Sequence, residues 1–134
     1  MDGTQVFAFT LREVPKNINA AIEGMDWTID DIDHYVLHQA NAMMLNHLAK
    51  KIGIPKNRLL LGLSNVGNTS SATIALCITD MLADKMLNGS QKLLFSGFGV
   101  GWSWGSIALE TGPWQVSKTL IVPADYRGAA LFSS

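Results

Sequence analysis

Cysteine occurs once in this 134-residue chain, at Cys77, and that single occurrence excludes an internal disulfide. Charge is scarce as well. Only 16% of the residues are charged, and ten basic against eleven acidic side chains leave a formal net charge of −1. No whole-molecule field draws such a chain to nucleic acid, so an electrostatic partner has to read a local patch. Long apolar runs are missing: none approaches the roughly 20 residues of a membrane-spanning helix, and no membrane partner is expected. The opening residues lack the basic-then-apolar order of a secretion signal, which makes a cytoplasmic location the expectation. Cys/His pairs at zinc-ligand spacing are also absent. His34 and His38 are four apart on an expected strand, where they share no helical face, so no metal site is expected and His34 reads as a polar residue on a sheet surface. There is no internal repeat and no low-complexity segment.

What the chain does have is 48% hydrophobic and 8% aromatic content, the make-up of one globular domain with a core. Val6-Phe7-Ala8-Phe9 reads as a short strand, followed after Pro15 by a weakly amphipathic helix ending near Gly24. Ile32 to Leu37 reads as a strand, and Ala40, Met43, Met44, His47, Leu48 and Ile52 recur at helical steps until Gly53 and Pro55 stop them. Leu59 to Leu63 is a third apolar run, and Thr69, Ser70 and Ser71 are natural caps for the helix that follows. That helix has an expected buried stripe of Ile74, Ile78, Met81, Leu82 and Leu87, with Thr73 facing outward, and it ends at Asn88-Gly89. Lys92 to Phe95 and Trp104 to Leu109 make two more strands around a Gly97 to Gly101 bend. The order β-α-β-α-β-α-β-β predicts an α/β layered domain over residues 1–110. Its mixed sheet has about five strands, the last two antiparallel, and helices on at least one face. Residues 111–134, with Pro113 and Pro123 and no period, read as an extended tail.

Ligands of α/β sheets gather beyond the carboxyl ends of strands, and three clusters fall there: His38-Gln39-Ala40-Asn41, Gly67-Asn68-Thr69 and Gly97-Phe98-Gly99. A neutral histidine at a strand end and an asparagine amide on a glycine turn can aim two N–H donors at one point, which is an oxyanion hole. Such a pair suits a thioester carbonyl becoming an enolate, with each donor contributing roughly 3 kcal/mol in a water-poor pocket. Backbone in the Gly97 to Gly101 bend can approach a substrate closely. It is no dinucleotide fingerprint, because Trp102 stands where a third glycine would be and a strand follows.

Taken singly, each residue has a plainer reading. His38 could be a hydrogen-bonded core histidine, Asn68 could serve a left-handed turn, and the glycines a tight hairpin. His47 beside Met43 and Met44 reads as packing, and Cys77 among Ile74, Ile78 and Met81 as a buried inert thiol. Lys50, Lys51, Lys56 and Arg58 crowd the end of the second helix and the loop after it, either as a solvated face or as a docking patch for an anionic partner.

In combination these residues form a pattern. Asp31-Ile32-Asp33 precedes a strand ending in His38-Gln39-Ala40-Asn41, and Lys50-Lys51-Ile52-Gly53-Ile54-Pro55 follows. Then come Gly67-Asn68-Thr69-Ser70-Ser71-Ala72 and Gly97-Phe98-Gly99-Val100-Gly101-Trp102-Ser103-Trp104-Gly105. From about Met1 to Leu109 this resembles the carboxyl-terminal half of ketoacyl-(acyl carrier protein) synthase III, in the thiolase-like superfamily. The resemblance implies decarboxylative condensation of a malonyl thioester with an acyl-enzyme in fatty acid or related polyketide biosynthesis. His38 and Asn68 would bind the malonyl thioester carbonyl, and Gln39 and Asn41 would support His38. Phe98 would line the acyl and pantetheine tunnel, Gly99, Val100 and Gly101 would hold the acyl-enzyme carbonyl through their backbone, and Lys50 and Lys51 would dock the carrier. The implied partners are an acyl carrier protein, an amino-terminal thiolase-like half holding the nucleophilic cysteine, and a second copy in a full-length homodimer. No cofactor is implied beyond substrates carried on phosphopantetheine thioesters of carrier protein or coenzyme A. Without the cysteine half, the chain alone is expected to be inactive. Met43 and Val100 stand where that family commonly has a basic docking residue and a glycine. The alternative class is a noncatalytic scaffold that binds a carrier protein or a partner synthase.

Overall fold

The computed structural model describes residues 3–125; Met1, Asp2 and the end of the tail lie outside the described residues. Helix α1 runs over Gly3–Glu23, β1 over His34–Leu37, α2 over Ala42–Ile52 and α3 over Leu63–Val66. Helices α4 (Thr73–Cys77) and α5 (Ala83–Leu87) are joined by a π-helical turn at Ile78–Leu82, and β2 (Gln91–Gly99) and β3 (Ser103–Thr111) close the domain. Among the described residues the sheet has three strands in the order β1-β2-β3, with β1 parallel to β2 and β2 antiparallel to β3. The mixed α/β architecture and the terminal antiparallel pair match the expectation; the five-strand sheet does not.

The two missing strands have separate causes. Val6 to Phe9 is helical, because the apolar positions Phe7, Leu11, Val14, Ile18 and Ile22 form a stripe at steps of three and four that packs on the core. Pro15 lies inside this helix and removes one hydrogen bond of its ladder without ending it, so reading it as a break was the error. Leu59 to Leu63 makes only one bridge, with Leu59 beside Tyr35, before α3 begins at Leu63. Two bonds hold that segment to the edge of β1: Tyr35 N–H donates to the Arg58 carbonyl and Leu60 N–H to the Tyr35 carbonyl.

Successive residues of β1 alternate between two cores. Tyr35 and Leu37 join Leu94 and Phe98 under α1 and α2, while Val36 joins Leu60, Leu93, Cys77, Leu82 and Met86 on the α4–α5 side. Burial pushes the Tyr35 phenol up to about 12, and its hydroxyl donates to the Ile29 carbonyl. Within the second core the buried positions are Thr73, Cys77, Leu82 and Met86, so the step across the π turn is five residues rather than four. That one extra residue turns Met81 outward, 40% exposed, against the expected stripe, and Thr73 turns inward; Leu87, 56% exposed, lies one residue past the buried Met86. The tail leaves β3 and returns along this layer, with Trp114 N–H donating to the Met86 carbonyl and Thr119 bonded to Thr79 and Asp80.

Candidate active site

β1 ends at Leu37, and the next backbone N–H, from His38, donates to the Ser96 carbonyl of β2 at 2.8 Å. The imidazole is thereby fixed just beyond the carboxyl end of the strand. Its Nδ1 lies 2.8 Å from the Thr73 hydroxyl of α4, and the Phe98 ring meets it edge-on at 5.4 Å. Burial holds its pKa below the ordinary histidine value, with the Ser70 carbonyl working in the opposite direction, so the ring is neutral near pH 7.

Asn68 follows Gly67, whose φ of 64° and ψ of −153° belong to a region essentially restricted to glycine. The Asn68 Oδ1 accepts from Ser70 N–H at 2.9 Å. A backbone N–H can only donate, so this bond fixes which end of the carboxamide is oxygen and leaves the NH₂ group as a donor. Asn68 therefore caps the next turn, a job the sequence assigns to Thr69, Ser70 and Ser71; the Thr69 hydroxyl is buried without a partner. His38 and Asn68 are tied to the two sides of one residue, Ser70. Thr73 Oγ1 donates to the Ser70 carbonyl at 3.0 Å and touches His38, while Ser70 N–H holds Asn68.

Phe98 is buried in β2, and Gly97 and Gly99 lie within that strand, so the expected five-residue bend shrinks to a turn at Val100, Gly101 and Trp102. Gly101 has φ 90° and Trp102 φ 41°, an uncommon conformation for a bulky residue. Phe9 of α1 stacks on Trp102 at 4.4 Å and on Trp104 at 4.9 Å, which holds the turn in place.

The family model for the carboxyl-terminal part of 3-oxoacyl-(acyl carrier protein) synthase III matches residues 22–111. The chain belongs to the ketoacyl-(acyl carrier protein) synthase III family. It is 40% identical over 108 residues to a β-ketoacyl-(acyl carrier protein) synthase III of Lactococcus lactis, covering 79% of this chain and 33% of the relative. A Streptococcus uberis relative of the same description is 40% identical over 112 residues, covering 82% of this chain and 35% of its own length. Among solved structures, a 3-oxoacyl-(acyl carrier protein) synthase from Burkholderia xenovorans superposes with a TM-score of 0.87 at 42% identity, over 90% of this chain and 34% of that one. The Thermus thermophilus synthase III superposes with a TM-score of 0.78 at 30% identity, over 85% and 36% respectively. The chain thus spans about a third of the length of these relatives.

In this member of the synthase III family the remaining expected site residues take distinct places. Gln39 is 2% exposed, and its amide is spent on backbone: Nε2 donates to the Leu37 and Leu60 carbonyls at 2.7 and 3.2 Å, and Oε1 accepts from Gly62 N–H at 2.8 Å. Its support of His38 is therefore indirect, through the strand end. Asn41 caps α2, with Oδ1 accepting from Met44 N–H at 2.8 Å. Lys50 and Lys51 occupy the exposed last turn of α2, and Lys50 lines a groove with Asn46, His47 and Lys56. Arg58 departs from that patch and donates to the carbonyls of Asp30 and Ile32 instead. His47 is exposed, its Nδ1 near the Met43 carbonyl and its ring edge-on to Phe7. Cys77 is buried, and burial raises its thiol pKa, which disfavours the thiolate that a nucleophile needs. The described residues hold no cluster of metal-ligating side chains and no helix long and apolar enough to cross a membrane.

Sequence reasoning missed Thr73. The available signal was its position four residues before Cys77, which puts both on one helical face. His34 is likewise buried rather than on a surface: Nδ1 has no partner and Nε2 lies 3.4 Å from Lys85 Nζ. Burial first, and then the Lys85 charge, lower its pKa. With both His34 and His38 depressed, the unfolded chain takes up protons before the folded one as pH drops below about 6.5. Stability should therefore be fully present above that pH and decline towards pH 5, before the carboxylates titrate. Urea midpoints at pH 7.5 and 5.5 check this, and His34→Asn should flatten the difference. Equal midpoints for the unsubstituted chain would contradict it.

Proposed function

We propose that this chain supplies the malonyl-binding half of a decarboxylative Claisen condensation in fatty acid or related polyketide synthesis, in a cytoplasmic setting. The observation that carries the reading is the tie between His38 and Asn68 through one residue, Ser70, which supports placing two neutral donors on one carbonyl oxygen. In the proposed reaction, the malonyl thioester oxygen accepts from His38 Nε2–H and the Asn68 NH₂. The carbon–carboxylate bond then breaks, CO₂ leaves, and the electron pair passes into an enolate held by those donors. The enolate carbon attacks the carbonyl of an acyl-cysteine, and the cysteine thiolate leaves, giving a β-ketoacyl thioester. Phe98 lines the channel, and the backbone from Gly99 to Gly101 faces the acyl carbonyl.

The cysteine belongs to an amino-terminal thiolase-like half. Val100, Trp102, Trp104 and Ile107 are exposed apolar side chains beside the site, which supports a covering partner there. Substrates arrive on phosphopantetheine thioesters, and the Lys50 and Lys51 turn docks the anionic carrier. The complete synthase assembles as a homodimer. The chain alone should not condense malonyl and acyl thioesters, and supplying a cysteine-bearing half should create the activity. Product release measured with labelled malonyl thioester decides this: tight carrier binding without turnover, even with that half present, would leave a scaffold instead.

A further inference from the structure

We infer that Thr73 is a positioning residue whose hydroxyl, shared between His38 Nδ1 and the Ser70 carbonyl, lets His38 present Nε2–H to a ligand without leaving a buried group unpaired. The inference deepens the reading given above and rests on it for the identity of the ligand, a thioester carbonyl.

The geometry offers the Thr73 hydroxyl two partners and gives it one proton. It lies 2.8 Å from His38 Nδ1 and 3.0 Å from the Ser70 carbonyl oxygen. If the proton goes to Ser70, Nδ1 must carry the histidine proton and donate to Oγ1. Nε2 is then a bare lone pair, which repels a carbonyl oxygen. If the proton turns to Nδ1, Nε2 becomes the N–H donor that an oxyanion requires. Ser70 loses little by this rotation, because its carbonyl also accepts the Thr73 backbone N–H. When the proton on Nδ1 is lost to solvent and one is taken up at Nε2, a rotation of the threonine hydroxyl keeps the polar atoms on the buried side paired in either tautomer. Among the described residues no hydrogen bond to Nε2 is found, and Nε2 is not one of their fully buried unpartnered atoms, so a ligand at Nε2 can select the second arrangement.

Three features make the switch specific to this position. Thr73 is 2% exposed, so water cannot readily replace its hydroxyl. His38 is held neutral by burial, so it has a tautomer to choose. Ser70 has a left-handed φ of 56°, and its N–H is bonded to Asn68 while its carbonyl meets Thr73, so the residue is held on both sides.

Thr73→Val keeps the shape and removes the hydroxyl, so Nδ1 loses its only donor and the Nε2–H tautomer is penalised. The test reads the His38 tautomer directly, by ¹⁵N chemical shifts and long-range ring couplings on the labelled chain. The tautomer ratio should shift towards Nδ1–H in Thr73→Val and return in Thr73→Ser; Thr73→Ala replaces the valine variant if that one does not fold. In a complete synthase carrying this half, malonyl decarboxylation should lose kcat by about 10- to 100-fold with KM little changed, and serine should restore it. The loss stays below the roughly 10⁴-fold that a wrong tautomer costs a Ser-His-Asp triad, because here a neutral hydroxyl does the orienting. An unchanged tautomer ratio in the valine or alanine variant overturns the inference, whatever happens to the rate. A complete synthase that keeps its rate in Thr73→Val also overturns it. Full activity after His38→Ala would instead remove the catalytic reading, while the ratio on the isolated chain would still decide whether Thr73 sets the tautomer.

Discussion

Replacing His38 by alanine in a complete synthase carrying this half should lower condensation by about 10²- to 10³-fold, the usual loss for one oxyanion donor. Asn68→Ala should cost a similar factor. The two donors act on one oxygen, so the double variant should fall short of the product of the single losses. The reason lies in the fixed bonds around them. Oδ1 of the amide is held by Ser70 N–H, which leaves its NH₂ as a donor, and the imidazole offers Nε2–H when Thr73 donates to Nδ1. Loading of the acyl group on the cysteine is chemically separate and should survive both changes. Parallel assays of acyl-enzyme formation and malonyl decarboxylation check the split; condensation within about twofold of the unsubstituted enzyme in both variants would refute the roles.

The second large effect is on stability. Gln39→Leu keeps the volume but strips hydrogen bonds from the Leu37 carbonyl, the Leu60 carbonyl and the Gly62 N–H. Each buried group left unpaired costs about 1–3 kcal/mol, so a loss of ~3 kcal/mol or more is expected in urea unfolding. Gln39→Glu should do no better, since it retains an acceptor for Gly62 but sets a carboxylate oxygen against two carbonyls. These three bonds join β1 to the segment that leads through α3 to Asn68, so the same variants should loosen the site. A change below about 1 kcal/mol in both would show that the strut is dispensable.

The parts of the fold legible in the sequence were those with sharp local chemistry. Gly53 ends α2 with φ 90° and its N–H on the Ala49 carbonyl, as its place before Pro55 predicts. His38 sits at a strand end because the apolar run Tyr35-Val36-Leu37 stops at it. Other parts were hidden for physical reasons. Pro15 masked a helical stripe that its surroundings stabilise despite the lost bond. The π turn at Ile78–Leu82 defeated a 3.6-residue period by one residue, which inverted the expected positions of Thr73 and Met81. The family resemblance implied Gln39 and Asn41 as supports of His38. Their amides turn out to brace backbone, which only the three-dimensional arrangement of Leu60, Gly62 and Met44 could reveal.

The contact of Phe9 with Trp102 and Trp104 has a consequence for recombination among homologues. The segment matched by the family model opens at residue 22, so a module cut there would leave the aromatic brace of the glycine turn behind. A chimaera that carries the turn from one parent and the first helix from another would inherit two halves of a joint that were never fitted together. The first helix and the turn are therefore a single unit of inheritance, although nearly the whole domain lies between them in the chain.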